Sequence, residues 1–587
     1  MDDPKAKGAH GTSVRAGARS GSAAGGGVVL FDPSQLMMMT PLHDHKNVPL
    51  LDATATLSSE STRHQHDVVV MLPRQHRAVT AAPSTAPSAA ASSNGALRPG
   101  APIELFSSAH CGLLVNYFVC GLVQGIARAL IYSYFRFYLR LSDRQQQSAF
   151  SLLGFGWCFT FVFGYISDCF PIVRRRRKPL MLLGHALLIA LELSVALSKT
   201  IEPYFKNGQV FNPDAPRQSY RFIVPLIIGS FGHATLSIAT EAMMIEHAHR
   251  ESEHARGRIQ LRMYATRYTG ELVSMLAVAL CCNSEAYGGD FSFSIPAMKL
   301  FGLLSIFSFI GIYATLYHIE EELTVGRRRL SSHLIAVWRF MEQRATWQIT
   351  LFGVLHTFCY AYKFPQQETL YESWLSGDVF ARKLALAGMS AMHALTFVVL
   401  QTDRFRNTSW RQLLTVTVVI CTTTNIAVAF LCIFDVVRSE TVYLLDLLVF
   451  AICNALVWII RLLCVVEIVE PGYEATCYTI VTAIHNLGPP LATAAATTVD
   501  KLTGTTRAAI EDDTMEARRG VATSYSVMFV LRLVLGLALL VFLPNQKRAT
   551  RELKRLGRPN LVVPIVLAVV FAVLYIVTWS VIVASTL

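Results

Sequence analysis

Charge is what this sequence is short of. Asp, Glu, Lys and Arg together make up 16% of its 587 residues, against roughly 25% in a soluble globular chain. That shortfall excludes a surface facing water on all sides. Other absences narrow the chemistry. No Walker loop, HExxH zinc motif or GxSxG elbow occurs, so the signatures of an ATP-driven pump, a zinc hydrolase and a serine hydrolase are missing. No CxxC occurs either, and of 12 cysteines only Cys281 and Cys282 are adjacent. Isolated cysteines in apolar stretches read as small buried hydrophobes. The expectation is a protein without enzymatic activity and without a cofactor.

What is present is hydrophobic length. The chain is 52% hydrophobic with a mean hydropathy of +0.41. Apolar segments fall at 112–138, 146–168, 178–198, 221–245, 258–282, 297–318, 347–365, 379–401, 411–434, 441–469, 474–500, 521–543 and 561–585. About 20 apolar residues cross the roughly 30 Å hydrocarbon of a bilayer as a helix, so the reading is an all-α, multi-pass membrane protein.

The net charge of +12 sits in loops. Arg174, Arg175, Arg176, Arg177 and Lys178 join the second and third segments. Arg250, Arg256, Arg258 and Arg262 lie around the fourth-to-fifth connection, and Arg327, Arg328 and Arg329 follow the sixth segment. Arg404, Arg406 and Arg411 join the eighth to the ninth, and Lys547, Arg548, Arg551, Lys554, Arg555 and Arg558 precede the last. Basic residues at every even-to-odd connection follow the positive-inside rule, not a nucleic-acid-binding face. They place the N-terminus in the cytosol, with plasma membrane and organelle membranes both open. The expected layout is a disordered cytosolic tail over 1–100, a six-helix bundle over 105–318, a cytosolic linker over 319–346, a second bundle over 347–543, a basic segment over 544–560 and an additional span over 561–585. Two six-helix halves around a central loop are the layout of major facilitator transporters.

Ionisable groups inside spans are costly unless they face a bundle interior, which makes them functional candidates. In the first segment Gln124, Arg128, Tyr132 and Arg136 recur every four residues, beside Gly121 and Gly125, which permit close helix approach. Arg128 suits an anionic substrate group or an ion pair with another span. In the fourth, His233, Ser237 and Glu241 share a face; a desolvated Glu241 can carry protons or sit in a gate. Arg267 and Glu271 are spaced to pair with each other on one helix. Arg461 is a second deep cation. His485 precedes Gly488-Pro489-Pro490, which breaks a helix and either lines a cavity or merely kinks it. Gly164 and Asp168, followed by Arg177 and Lys178, read as a clasp at the cytosolic face that opens and closes access.

These stretches resemble a known family. GYISDCFPIVRRRRKPLMLLG at 164–184 looks like the hallmark of the folate–biopterin transporters, a branch of the major facilitator superfamily. ATEAMMIEHAHRESEHARGRIQ at 239–260, and NTSWRQLL, FDVVRSETVYL and EIVEPGYEATCYTIVTAIHNLGPPL further on, resemble its later segments in order. The resemblance runs from about residue 105 to the C-terminus. It implies alternating-access transport of folates, pterins or related conjugated cofactors, with other organic solutes carried by some members; a proton as coupling ion is the expectation that Glu241 carries. It carries Gly164, Asp168, Arg177, Lys178, Glu246, Arg256, Gly257 and Gln260 into matching positions. Ser237 and Glu241 stand where the family has Asp, and Val173-Arg174-Arg175 replaces Phe-Gly-Tyr. Losing an Asp removes an acceptor for a pterin ring's donors, which points to a divergent substrate or weakened coupling. A non-transporting receptor or scaffold that keeps the fold is the alternative.

Overall fold

The computed structural model describes residues 95–586, apart from 143, 144, 147, 148, 150, 151, 207, 325, 327 and 328. Most of the tail expected over 1–100, and part of the second segment, therefore lie outside the described residues. All thirteen expected segments contain helix. Eight helical stretches among the described residues are long and apolar enough to cross a membrane.

The first half holds α1 (Gly112–Ser133, continuing in a π-helical turn Tyr134–Tyr138), α2 (Thr160–Cys169), α3 (Lys178–Leu197), α4 (Tyr220–Ala248), α5 (Arg258–Cys281) and α6 (Ala297–Tyr317). A two-residue hairpin, β1 (Phe205–Lys206) with β2 (Gln209–Val210), decorates the α3–α4 loop. α5 carries too much charge to qualify as a span by hydropathy, yet it packs between α1 and the helix Val379–Leu400 of the second half. Neighbouring helices shield its polar face from lipid, which is the condition for such a helix in a bilayer. Gly121 and Gly125 allow this: a Cβ on Gly121 would strike the Arg267 carbonyl oxygen, and one on Gly125 the Ser274 hydroxyl.

The linker expected over 319–346 is not plain loop. It forms α7 (Leu330–Glu342), which ends at Gln343 (φ −63°, ψ 135°) before α8 (Arg344–Ala361) begins. One extended residue turns the chain, so α7 does not prolong α8.

The second half continues with α9 (Gln367–Trp374), α10 (Val379–Leu400), α11 (Trp410–Ile433), α12 (Glu440–Ile468), the broken pair α13 (Glu474–His485) and α14 (Gly488–Thr503), and α15 (Met515–Val530) running into a π-helical turn Leu531–Leu535. α16 (Lys547–Leu556) and α17 (Val562–Thr586) follow. The break between α13 and α14 falls where Gly488-Pro489-Pro490 predicts it, since proline cannot donate to the preceding turn.

Candidate functional site

Two polar clusters stand out, one on the face that carries the basic loops and one deeper in the molecule. On the loop face, Arg177 at the start of α3 is fully buried. Its Nη2 lies 2.8 Å from Asp168 Oδ1, 2.6 Å from Glu246 Oε1 and 3.5 Å from Glu474 Oε2, and its Nη1 donates to Ser167 Oγ at 2.5 Å. Asp168 Oδ2 accepts from the backbone N–H and the hydroxyl of Thr476, each at 2.7 Å. The carboxylate thus caps the positive end of α13, in the other half. Gly164 lets α2 and α13 touch; a Cβ there would collide with Thr479 Oγ1. A second buried pair crosses the same seam, Arg256 Nε to Glu467 Oε1 at 2.7 Å.

The clasp therefore does more than join α2 to α3: it locks the two halves. Lys178 departs from its expected place. Its Nζ donates to the carbonyls of Leu316 and Ile319 at 3.0 and 2.8 Å, tying α3 to the end of α6 within one half. Glu321 explains why α3 starts here, because its carboxylate accepts from the N–H groups of Arg176, Arg177 and Lys178 at 2.7–3.0 Å. The end of the tail also departs from expectation. Residues 95–100 lie on this cluster: Leu97 and Arg98 N–H groups donate to the His249 carbonyl, and Gly95 O accepts from Arg256. The Arg98 guanidinium approaches Glu246 at 3.6 Å and Glu474 at 3.5 Å. With Arg176 3.5 Å from Glu246, the carboxylates of Asp168, Glu246 and Glu474 face the guanidiniums of Arg98, Arg176 and Arg177, and the charges balance.

Deeper in, a cavity of about 1240 Å³, counting its mouth, opens at the seam. Arg128 and Tyr268 line it from the first half, and the remaining wall comes from the second. Four cations, Arg128, Lys363, Arg461 and Arg532, line it, against a single carboxylate, Asp446. Asp446 accepts from Asn425 Nδ2, and Arg532 donates to Asn425 Oδ1 at 3.3 Å. Arg461 donates to Thr357 Oγ1. Tyr268 and His393 stack across the seam, centroids 4.7 Å apart at 8°, forming a flat wall.

Behind α1 sits the second part of this cluster. Arg128 pairs with Glu271, which also accepts from Ser390 Oγ at 3.1 Å. Arg267 reaches Gln124 Oε1 with Nη2 at 2.6 Å and Glu241 Oε1 with Nη1 at 3.3 Å, and Tyr117 OH donates to Glu241 at 2.7 Å. Arg267 and Glu271, spaced to pair on one helix, both also reach across helix interfaces, where Gly121 and Gly125 bring α1 within range. Three other expectations also change. Ser237 Oγ faces Cys120 Sγ at 3.5 Å, not the cavity. The Tyr132 ring lies under Arg382 at 5.5 Å. His485 packs on Gly353 of α8, so the α13–α14 break seats a histidine between helices and does not line the large cavity.

Sequence reasoning missed Lys363, Arg532, Asp446, Glu474 and Arg98. Arg532 and Asp446 fall inside expected spans, and the rule that singled out Arg461 applies equally to them. Glu474 reads as the acidic first turn of a helix, and only the fold brings it to Arg177.

On the opposite face, Asp513 accepts from Arg438 Nη1 at 2.7 Å and from Arg518 Nη2 at 2.7 Å. The Arg438 bond first, then that from Arg518, holds this carboxyl far below its ordinary 3.8.

Neither a protein-family model nor a curated protein sequence matches the chain. Its structure is similar to that of a D-xylose–proton symporter, with 13% identity, TM-score 0.51 and cover of 75% of this chain and 98% of the other. It is also similar to a proton:xylose symporter of the major facilitator superfamily bound to 6-bromo-6-deoxy-D-glucose, with 13% identity, TM-score 0.51 and cover of 76% and 98%. The chain has the major facilitator fold, an all-α membrane architecture.

Proposed function

We propose that this protein is a secondary transporter that moves a small polar organic anion by alternating access, with a folate- or biopterin-like solute as the substrate class. The observation that carries this is the cavity at the seam, where Lys363, Arg461 and Arg532 face one carboxylate, with Arg128, itself paired to Glu271, beside them. Guanidinium groups recognise carboxylate or phosphate through paired hydrogen bonds. The stacked Tyr268 and His393 supply a flat surface for a planar ring. The likeness to proton symporters supports the reading at the level of fold.

The cycle needs a gate and a coupling site. The Asp168–Arg177–Glu246–Glu474 cluster closes one face, which we assign to the cytosol from the basic loops. Glu241 is the coupling candidate: protonation would remove a charge that holds Arg267, which also rests on Gln124 of α1, and so loosen the tie between α4 and α5. The test is uptake of labelled folate, biopterin and other small organic anions into proteoliposomes under an inward proton gradient. An anion accumulates under the gradient, and Glu241→Gln removes the gradient dependence. Unchanged gradient-driven uptake by Glu241→Gln would overturn the coupling role, and absence of uptake of every anion would overturn the substrate class.

A further inference from the structure

The connector between the halves carries a feature that gating and the cavity leave unused. α7 has one side on the protein: His333 hydrogen-bonds Thr476 Oγ1 through Nε2 at 3.0 Å, and Phe340 is buried. Another side bears Leu330, Leu334 and Trp338, spaced by four, with Ile335 beside them; all are exposed, Leu334 by 55%. Residues four apart share a helix face, so these side chains form one apolar stripe. Ser332 and Arg339 occupy a polar arc beyond Ile335 and are exposed, and Ser331 lies within the stripe between Trp338 and Ile335. A helix with an apolar stripe, a polar arc and a protein-facing edge fits the plane of a membrane interface. The bend at Gln343 keeps α7 from continuing the span that follows.

The surroundings supply charge. Asn560 N–H donates to the Glu342 carbonyl at 2.9 Å, joining the end of α7 to the start of α17. Gly557 sits directly against Arg344, whose Cβ would lie 2.6 Å from a Cβ placed on the glycine. Arg344, Arg555 and Arg558 are all exposed. Of the nearby carboxylates, Glu470 bonds Lys554 Nζ at 2.9 Å and Glu552 bonds Arg548 at 3.2 Å, while Glu342 lies two residues before Arg344. Leu561, Val562 and Ile565 at the base of α17 are exposed and apolar. Arg344 and the segment that bears Arg555 and Arg558 thus lie where two exposed apolar surfaces meet.

We infer that α7 is an interfacial helix and that Arg344, Arg555 and Arg558 bind the headgroup of an anionic lipid in the leaflet on the gate face. The apolar stripe inserts between acyl chains, and the guanidiniums hold the phosphate. Each basic residue near an anionic surface contributes about 1 kcal/mol, about fivefold in affinity. The inference rests on the surface of the fold and is independent of what the cavity carries.

Native mass spectrometry of the full-length protein tests it, with phosphatidylinositol 4-phosphate and phosphatidylcholine as probes. The wild type retains the anionic lipid in preference. Arg344→Gln with Arg555→Gln and Arg558→Gln lowers that retention at least fivefold and leaves phosphatidylcholine unchanged. Equal retention of both lipids by the wild type, or full retention by the triple variant, overturns the inference. Displacement of the lipid by excess inorganic phosphate would show a free-anion site and overturn the assignment to the bilayer. Insertion is read separately, in nanodiscs, from the fluorescence difference between wild type and Trp338→Phe. Brominated acyl chains quench that difference signal if the stripe is inserted; quenching by aqueous iodide instead would refute insertion.

Discussion

Replacing Arg177 by Met tests the gate most severely. Its guanidinium is fully buried and contacts Asp168, Glu246 and Glu474, two of them on one half and Glu474 on the other. Removing the cation leaves three carboxylates facing two guanidiniums, Arg176 and the partly exposed Arg98. Taking one partner from a buried charge pair costs about 3–5 kcal/mol. Here the cost falls on the closed arrangement only, since an open gate would hydrate the carboxylates. The closed-to-open ratio should therefore drop by roughly two to three and a half orders of magnitude, at about 1.4 kcal/mol per tenfold. Two native thiols report the result. Cys169 at the end of α2 and Cys477 in α13 are each 1% exposed, directly behind the cluster. Alkylation by a membrane-impermeant maleimide, followed peptide by peptide, should be slow in wild type and faster by at least a hundredfold in Arg177→Met. Arg177→Lys should fall between, because one ammonium cannot reproduce the forked contacts. Unchanged labelling of both thiols in a folded Arg177→Met protein would refute the gate.

Arg461→Met should weaken binding of a transported anion about 10- to 100-fold, the size of a lost hydrogen bond to a charged group, read by scintillation proximity with the purified protein. Arg98→Ala removes a partly exposed cation from the gate, so its effect should stay within about 1 kcal/mol, up to about fivefold faster labelling of Cys477. On the opposite face Asp513→Asn should loosen the Arg438 and Arg518 contacts, seen as faster hydrogen exchange at 513–518. Because the folded carboxyl titrates below its ordinary 3.8, those contacts persist above that pH and are lost only as the pH falls through the depressed value. Loss of protection already at pH 5 would contradict the assignment.

Much of the architecture is legible because hydrophobic length and basic loops are local signals. The broken helix at Gly488-Pro489-Pro490 and the close α1–α5 contact at Gly121 and Gly125 follow from single residues whose backbone demands are fixed. Asp168 and Arg177 are legible for the same reason, as a short motif. What the sequence conceals is pairing at a distance. Arg267 and Glu271 are spaced to neutralise each other, yet Gly121 and Gly125 also bring Gln124 and Arg128 of α1 within reach, and Glu241 approaches from α4. Glu474 lies more than 300 residues from Asp168, so its part in the gate depends on the halves coming together. His485 misleads differently: it is polar and next to a break, but Gly353 leaves it a slot between helices.

The central claim, that one anion-binding cavity is opened to each side of the membrane in turn, is tested most directly by counterflow in proteoliposomes preloaded with an unlabelled organic anion. The account predicts a transient overshoot of the labelled anion inside vesicles bearing the wild-type protein, with none for Arg461→Met. Specific binding of the anion by wild type with no exchange across the membrane would contradict it and favour a receptor built on the same fold.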